Sequence, residues 1–538
     1  MNSVYLPDPA SVETMPPEPS LPAPLPTHVT KRIIGGTSTL GASLFMERGA
    51  GFLANILAAR LGGAATFGAY SLALTQANNI STYAAGGIGA TAARFSGKYP
   101  FGTSGYKTLA RALMIVSLVS AALASAALWL GAAPIAHLLH KDSLTGLLRW
   151  AALSSAGVIL LECARGFFVG QRRHAAMLLL SLLVAVGMIS LIPFAAARHD
   201  PVHMIVSQGI ITTSAVIVCI LLARALGLQD HSSLPSSPLP PMLREVWRFG
   251  FIQLAGLIGC NLAGWWLTTL VARSDTALVQ MGFLAIASQL RNMVALPPAL
   301  LTEGSYAMMA DRDGEISRTP SHVMALCTFA STFTSLALAS IGIVIIPWAL
   351  RFVYGSTYST AGVAAAVALA VAVVHMGNAP ASARLSVVSI RAAGAINTVW
   401  AIFVAVAATV FALHHGSAAR AMTIYLAAHI LASTLVLVVL AWKDHMPRGV
   451  VPVFSSACGV VIALAALSVL RDRRPQSALA ITAGMAALAV ATLTILYFVG
   501  RRSHWLPTSA AIGRILRSAP SFVSRMFRPG GGRPTGDV

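Results

Sequence analysis

Two arginines in this sequence lie deep inside long apolar stretches, where a charge is costly. They are Arg48, which follows Glu47, and Arg291. A charged side chain at bilayer depth must be paired or must line a wet cavity, so both arginines are candidates for a functional site. A guanidinium remains charged, and its planar donors bind two oxygens of one oxyanion, which favours an anionic ligand. The structural alternatives are that Arg48 pairs with a neighbouring carboxylate and that Arg291 donates to backbone carbonyls freed by Pro297 and Pro298.

Three ionisable residues in apolar stretches are candidates for binding a coupling ion, namely Glu47, Glu162 and His375. Glu162 lies three residues before Arg165, and on a helix this spacing lets the two charges neutralise each other, which is the structural interpretation. The functional interpretation is a proton or cation site on Glu162. His375 has the same two interpretations, as a packed polar residue or as a proton carrier.

The composition requires membrane-spanning helices to position these residues. Of the 538 residues, 56% are hydrophobic and 10% are charged, which leaves too little polar surface for a soluble globule. About 20 apolar residues cross the roughly 30 Å of hydrocarbon in a bilayer. We predict an all-α polytopic membrane protein with about 14 transmembrane helices, at residues 33–59, 66–91, 108–133, 146–169, 174–197, 203–226, 247–271, 278–309, 321–350, 361–382, 393–413, 420–442, 451–470 and 476–499.

The distribution of charge predicts the orientation of these helices. Most of the 37 Lys and Arg residues fall on the side of the N-terminus when the spans alternate. By the positive-inside rule, both termini are then cytoplasmic. The net charge of +20 is therefore attributed to topology and to attraction for anionic lipid, and not to nucleic-acid binding. The five cysteines lie in predicted spans without CxxC spacing, so neither a disulfide framework nor a zinc site is indicated.

An internal duplication divides the first twelve spans into two lobes. One constant shift places Arg60 on Arg273 and Pro134 on Pro347. Each half holds six spans, an even number, so both halves enter the membrane from the same side and the repeats are parallel. We predict an N-lobe, a C-lobe and a substrate site between them. The predicted domains are a disordered Pro-rich cytoplasmic tail at 1–30, the N-lobe at 31–230, a cytoplasmic linker at 231–242, the C-lobe at 243–443, spans 13 and 14 at 444–500, and a basic cytoplasmic tail at 501–538.

Three short motifs resemble a known family of transporters. Residues 57–70 read LAARLGGAATFGAY and form a turn between the first two spans, and residues 86–94 read GGIGATAAR at the end of the second span. Residues 352–358 read FVYGSTY and follow the ninth span. These motifs are similar to those of the polysaccharide-transporter branch of the MOP superfamily, the Wzx-like flippases of lipid-linked oligosaccharides, which are relatives of the MATE transporters.

The resemblance implies a substrate and a site. Members of this family export an undecaprenyl-diphosphate oligosaccharide from the cytoplasmic to the periplasmic leaflet of a bacterial inner membrane by alternating access, for exopolysaccharide, capsule or O-antigen synthesis. In their fold, spans 1 and 2 face spans 7 and 8 across a cavity, so we expect Arg48 and Arg291 to hold the diphosphate and Pro297 with Pro298 to act as a hinge. The residues expected to contact sugar hydroxyls are Asn55, Gln76, Asn79, Gln253, Asn261, Gln289 and Asn292.

The resemblance also implies the partners. We expect a monomeric flippase and not an enzyme, without a cofactor or a metal, although coupling to H+ or Na+ is possible in such a protein. Its partners would be the lipid-linked oligosaccharide, membrane lipids, a polysaccharide polymerase and glycosyltransferases, and no nucleic acid.

Two other classes of function stay open at this point. A MATE-type drug or cation antiporter of the same superfamily would share the two lobes, but such exporters usually carry acidic residues in the cavity, where this chain has arginine. A membrane polysaccharide polymerase or ligase would need a large outer loop with catalytic side chains, and the outer loops predicted for this chain are short.

Overall fold

The computed structural model describes residues 27–99, 104–225, 238–309, 320–447 and 449–502, and this part of the chain contains helices and no strands. The expected all-α fold is therefore confirmed. The α-helices of the described residues are α1 (Thr27–Ala85), α2 (Ile88–Lys98), α3 (Ser104–Leu138), α4 (Thr145–Gly170), α5 (His174–Ala196), α6 (Pro201–Ala225), α7 (Leu239–Ser274), α8 (Val279–Met309), α9 (Pro320–Ala349), α10 (Gly362–Val388), α11 (Ile390–His415), α12 (Ala418–Trp442), α13 (Val450–Arg473) and α14 (Ala478–Arg502).

Helix α1 contains two membrane passes that meet at Gly63. This residue has φ 78° and ψ 170°, a conformation that a side chain would strain, so the turn requires glycine. The first limb (residues 27–62) packs along α5, and the second limb (residues 64–85) packs along α4, where Ser81 Oγ lies 2.8 Å from Ser155 Oγ. Because α4 and α5 are consecutive antiparallel helices, the two limbs run in opposite directions. We call the side of the membrane where α1 begins the N-terminal side, and the side of Gly63 the far side.

Helix α2 prolongs the second limb after a break at two glycines. Gly86 and Gly87 have φ 52° and 70°, and α2 then continues along α4. A Cβ on Gly166 of α4 would overlap the carbonyl oxygen of Gly89. Small residues allow helix backbones to approach this closely in membranes. The GGIG segment therefore provides a backbone break and close helix packing.

The helices form two lobes with the same order of elements. The N-lobe comprises α1–α6 and the C-lobe α7–α12, with α7 and α8 at the places of the two limbs of α1. Pro134 lies inside α3 and Pro347 inside α9, the third span of each lobe, as the duplication predicts. Helix α13 packs on α9 and α10, where Arg471 Nη1 donates to the Val344 carbonyl at 3.0 Å. The C-terminal helix pair is therefore attached to the C-lobe.

The described helices supply fourteen membrane passes. Eleven helices of the described residues are long and apolar enough to cross a membrane, and α1, which supplies two passes, is counted among them once. Helices α7 and α8, of 36 and 31 residues, supply the remaining two. The described residues include 27–30 and 501–502 of the predicted tails, which are helical, and α7 begins at Leu239, within the segment expected to be the linker. The rest of those three segments lies outside the described residues.

Candidate functional site

A cavity of about 590 Å³ lies between the two lobes. Both limbs of α1 line it from the N-lobe, and α7, α8 and α12 line it from the C-lobe. The cavity therefore lies between spans 1 and 2 on one side and spans 7 and 8 on the other. Its polar lining consists of hydroxyl and amide groups together with one charged side chain: Arg48, Asn55, Tyr70, Ser71, Thr75, Asn78, Thr268, Ser288, Gln289, Asn292 and Tyr425.

Arg48 is the charged residue of this lining. Its side chain is exposed to the cavity, and no carboxylate oxygen of the described residues lies within 4.0 Å of its guanidinium. The neighbouring carboxylate, Glu47, points away because adjacent residues on a helix are turned by about 100°. The structural alternative, in which Arg48 pairs with a neighbouring carboxylate, is thus not what the described residues show.

Glu47 belongs instead to a partly buried ion cluster between α1 and α4. Arg165 bonds both Glu47 and Glu162, the latter through Nη1 to Oε1 at 2.5 Å, so the expected Glu162–Arg165 pair is confirmed. Ser181 Oγ lies 3.5 Å from the second Glu47 oxygen. Two of the three residues named as candidate ion-coupling groups therefore share one guanidinium.

Arg291 lies beside the cavity and not in its lining. Its guanidinium carbon is 5.8 Å from the ring centroid of Tyr425, whose side chain reaches the cavity, and its Nε and Nη2 atoms are 3.4 Å from Asn292 Oδ1. Among the described residues, the hydrogen bonds of Arg291 go to the Asn292 side chain and not to backbone carbonyls freed by Pro297 and Pro298. Helix α8 runs on through Pro297 and Pro298, and their role as a hinge stays a prediction.

The amides expected to contact sugars divide into two groups. Asn55, Gln289 and Asn292 line the cavity. The oxygens Asn55 Oδ1 and Gln289 Oε1 are buried and have no hydrogen-bond partner among the described residues, so both are free to accept from a ligand. Gln289 Nε2 donates to the Phe52 carbonyl at 2.9 Å, which fixes its orientation across the lobes.

The other expected amides lie elsewhere. Gln76 is 1% exposed and accepts from Trp265 Nε1 at 2.5 Å, so it joins the lobes and does not line the cavity. Asn79 and Asn261 are half-buried and outside the lining, and the side chain of Gln253 lies outside the described residues.

Besides Tyr70, three polar residues of the second limb line the cavity but were not among the candidates. They are Ser71, Thr75 and Asn78, spaced by four and three residues. Positions three and four apart share one face of a helix. Once one of these residues is known to line the cavity, the spacing therefore identifies the other two. Gln76 falls off this face. The sequence does not show which face of the second limb points into the cavity, because the type of a side chain does not determine its direction.

The far-side end of the cavity is closed by direct contact between the lobes. A Cβ on Gly68 of the second limb would overlap the Leu278 carbonyl oxygen, and a Cβ on Gly282 of α8 would lie 2.5 Å from the Ala64 carbonyl oxygen. The Tyr358 hydroxyl donates to the Ala59 carbonyl at 3.2 Å. The motif at residues 57–70 therefore forms a seal between the lobes.

The lobes also meet at the N-terminal side, where α2 lies against α7. Lys98 Nζ is 3.2 Å from Glu245 Oε1, and the Arg94 guanidinium carbon is 4.4 Å from the ring centroid of Phe249. The hydrogen bond that the Lys98 ammonium donates to Glu245 raises the pKa of Lys98, with attraction between the charges adding to it.

Metal-ligating groups do not gather in the described part of the chain. It contains no set of three or more His, Cys, Asp or Glu side chains that could hold a metal ion, and none of its cysteines is in a disulfide bond. His375 of α10 is the remaining candidate ion-coupling group, and its ring stacks on His429 of α12 with the centroids 4.6 Å apart.

Comparisons with known proteins found one matching family and several solved structures with a similar fold. Residues 33–298 match the model of a family described as polysaccharide biosynthesis protein. The structure of the lipid II flippase MurJ in an inward closed conformation aligns with a TM-score of 0.61 at 12% identity, covering 86% of this chain and 98% of MurJ. A comparison with curated protein sequences found no match.

Two further solved structures share the fold. An inward-facing multidrug resistance MATE transporter of the MOP superfamily aligns with a TM-score of 0.57 at 13% identity over 76% of this chain and 95% of its own. A MOP superfamily transporter from Pyrococcus furiosus, whose title describes a binding pocket of reverse polarity, aligns with a TM-score of 0.54 at 13% identity over 77% and 95%. The chain is a multi-pass membrane protein whose residues 33–298 resemble the family described as polysaccharide biosynthesis protein and whose fold is that of the MurJ flippase and of the MATE transporter.

Proposed function

We propose that this protein is a flippase that carries a diphosphate-linked oligosaccharide on a polyprenyl lipid from the cytoplasmic to the periplasmic leaflet of a bacterial inner membrane. The observation that carries the proposal is the lining of the inter-lobe cavity, in which Arg48 is the charged group and the other polar groups are hydroxyls and amides. An unpaired guanidinium suits a diphosphate, and amides and hydroxyls suit sugar hydroxyls. Both termini then face the cytoplasm, as the positive-inside rule predicts.

The same lining argues against the two alternatives. A MATE-type antiporter for cationic drugs shares the fold, but a cation would need a carboxylate, and the described residues that line the cavity include none. A polymerase or ligase would need catalytic side chains at a water-exposed loop. The described far-side connections are short, such as residues 197–200 between α5 and α6, so we infer transport and not an enzymatic reaction.

The test is export of polysaccharide by a host whose own gene for this protein is deleted and replaced with variants at matched protein levels. We expect the deletion strain to accumulate lipid-linked oligosaccharide on the cytoplasmic side. Arg48→Ala is expected to abolish export, and Arg48→Lys, which keeps the charge but loses the planar donor pair, is expected to retain part of it.

A matched control is Arg149→Ala, since Arg149 is exposed on α4 and lies against Trp129, away from the cavity. This variant should export normally. Full export by Arg48→Ala would overturn the proposed role of the cavity arginine, and a deletion strain without lipid-linked oligosaccharide would overturn the proposed function.

A further inference from the structure

A cluster of basic and aromatic side chains lies inside the C-lobe, next to the cavity. The rings of His375 on α10 and His429 on α12 are stacked, with their centroids 4.6 Å apart and their planes 22° apart. The Trp400 ring on α11 lies 5.5 Å from the His429 ring and 6.0 Å from the Tyr425 ring. Three helices of the lobe therefore converge on a pair of imidazoles.

The cluster is continuous with the cavity through Arg291 and Tyr425. The Arg291 guanidinium stands over the Tyr425 ring and acts electrostatically on both imidazoles. Tyr425 and Asn292 line the cavity itself. More than a third of the His375 surface is accessible, and its ring is stacked on that of His429.

The surroundings of this pair hold no compensating carboxylate. Among the described side chains of α7, α8, α10, α11 and α12, the only carboxylate is Glu245, which lies near the start of α7 and pairs with Lys98. Arg471 and Asp472 lie at the far-side end of α13, which packs on α10. From the N-lobe, Arg48 faces the cavity and Glu47 is bonded to Arg165. Nearer to the imidazoles, the titratable groups are Arg291 and Tyr425.

We propose that His375 and His429 form one proton-binding site that is filled when an anionic diphosphate occupies the cavity beside Arg291. A charged imidazole stacked on a second ring and close to a guanidinium is repelled while the cavity is empty, because like charges in a partly dehydrated site disfavour each other. A diphosphate beside Arg291 supplies the missing negative charge. A proton from solvent then binds to a free imidazole nitrogen, and it returns to solvent when the diphosphate leaves.

This inference rests on the proposed function and adds its pH dependence. Coupling between two binding events is reciprocal, so a diphosphate that promotes protonation of the pair is itself bound more tightly when the pair is protonated. The two rings share the proton, so the site titrates as a pair and not as two separate histidines. Diphosphate binding is therefore expected to strengthen as the pH falls.

The experiment measures proton uptake by the purified full-length protein in detergent. Undecaprenyl diphosphate is titrated by calorimetry in two buffers of different ionisation enthalpy between about pH 6 and about pH 8, the range in which histidine changes charge. The wild type should take up about one proton more per diphosphate than the double variant His375→Gln/His429→Gln. Its affinity should fall by up to about tenfold per pH unit on raising the pH, the slope for one linked proton.

Three comparisons make the result decisive. Undecaprenol, which lacks the diphosphate, should cause no proton uptake, and His137→Gln, whose exposed imidazole lies at the far-side end of α3, should behave as the wild type. If the double variant does not fold, His375→Gln and His429→Gln are tested singly, and each should lose the uptake. Equal proton counts in the wild type and the variants would overturn this inference alone. Absence of binding by the wild type would overturn the proposed function and this inference with it.

Discussion

Arg165 is the residue on which the buried charges of the N-lobe depend. It bonds Glu47 of α1 and Glu162 of α4, and both Arg165 and Glu47 have less than a fifth of their side chains exposed. Removing one member of a buried ion pair leaves the other charge without compensation, at a cost of about 3–5 kcal/mol. In this cluster, one substitution would leave two carboxylates without the cation that they share.

Arg165→Ala should therefore lower the melting temperature in detergent and the yield of monodisperse protein. The loss should reflect a destabilisation of about 3–5 kcal/mol, because the largely buried Glu47 carboxylate loses its cation. Thermal unfolding followed by size-exclusion chromatography measures it. Arg165→Lys keeps the charge and should lose less, and Arg149→Ala should melt as the wild type. A normal melting temperature for Arg165→Ala would show that the cluster does not stabilise the lobe.

At the residue scale, the sequence predicted the kinds of side chain in the site better than their directions. The depth of Arg48 in an apolar stretch indicated a cavity residue, and the i, i+3 spacing of Glu162 and Arg165 indicated their pair, because both signals are local. The direction of Gln76 depends on where Trp265 of the other lobe lies. Contacts between lobes are set by tertiary packing, which no local pattern contains.

At the scale of elements, the crossing of the second limb and α8 depends on two glycines. Gly68 meets the Leu278 carbonyl and Gly282 meets the Ala64 carbonyl, so neither position has room for a Cβ while the far side is closed. The obstructing atoms belong to the backbone, and rotation of a side chain cannot relieve the overlap. Any side chain at Gly68 must therefore separate the two helices.

Gly68→Ala should open the far side of the cavity. A cysteine introduced at Ser71, in the cavity lining, should react several-fold faster with a thiol reagent added from the far side, since the two helices no longer close. Gly282→Ala should act in the same direction. The matched control is Gly49→Ala, which changes a helical glycine of the first limb with open space around it. Equal labelling of the Gly68→Ala and Gly49→Ala proteins would contradict a seal at this crossing.

Fourteen passes and the duplication could be predicted because they depend on apolar length and on a repeated order of spans. The boundaries could not be predicted as well. Gly63 turns the chain sharply between the two limbs of α1, and the second span, predicted to end at residue 91, is broken at Gly87 and continues as α2 to Lys98. Both features depend on glycine backbone conformations, which hydropathy does not report.

At the scale of the whole molecule, the two lobes are held together at both ends of the cavity. The far side is closed by backbone packing and by hydrogen bonds to carbonyls, whereas the N-terminal side carries an exposed ion pair, Lys98 with Glu245, beside the Arg94 and Phe249 contact. Glu245 raises the pKa of Lys98, so the ammonium keeps its charge below that raised pKa and loses it as the pH rises through that value. Near neutral pH the pair is therefore sensitive to salt and not to pH, because exposed ion pairs are screened.

Lys98→Glu should part the lobes at the N-terminal side, because two carboxylates then face each other across the contact. A cysteine introduced at Asn78, in the cavity lining, should react several-fold faster with a thiol reagent added from that side. The double variant Lys98→Glu/Glu245→Lys restores opposite charges and should return the rate to that of the parent. Arg111→Glu, an equal change of charge at an exposed position of α3, should leave the rate unchanged.

High salt should reduce the difference in labelling rate between Lys98→Glu and the parent, since screening weakens repulsion between exposed charges as it weakens attraction. A double variant that reacts as fast as Lys98→Glu would show that the two residues do not hold the lobes together through their charges.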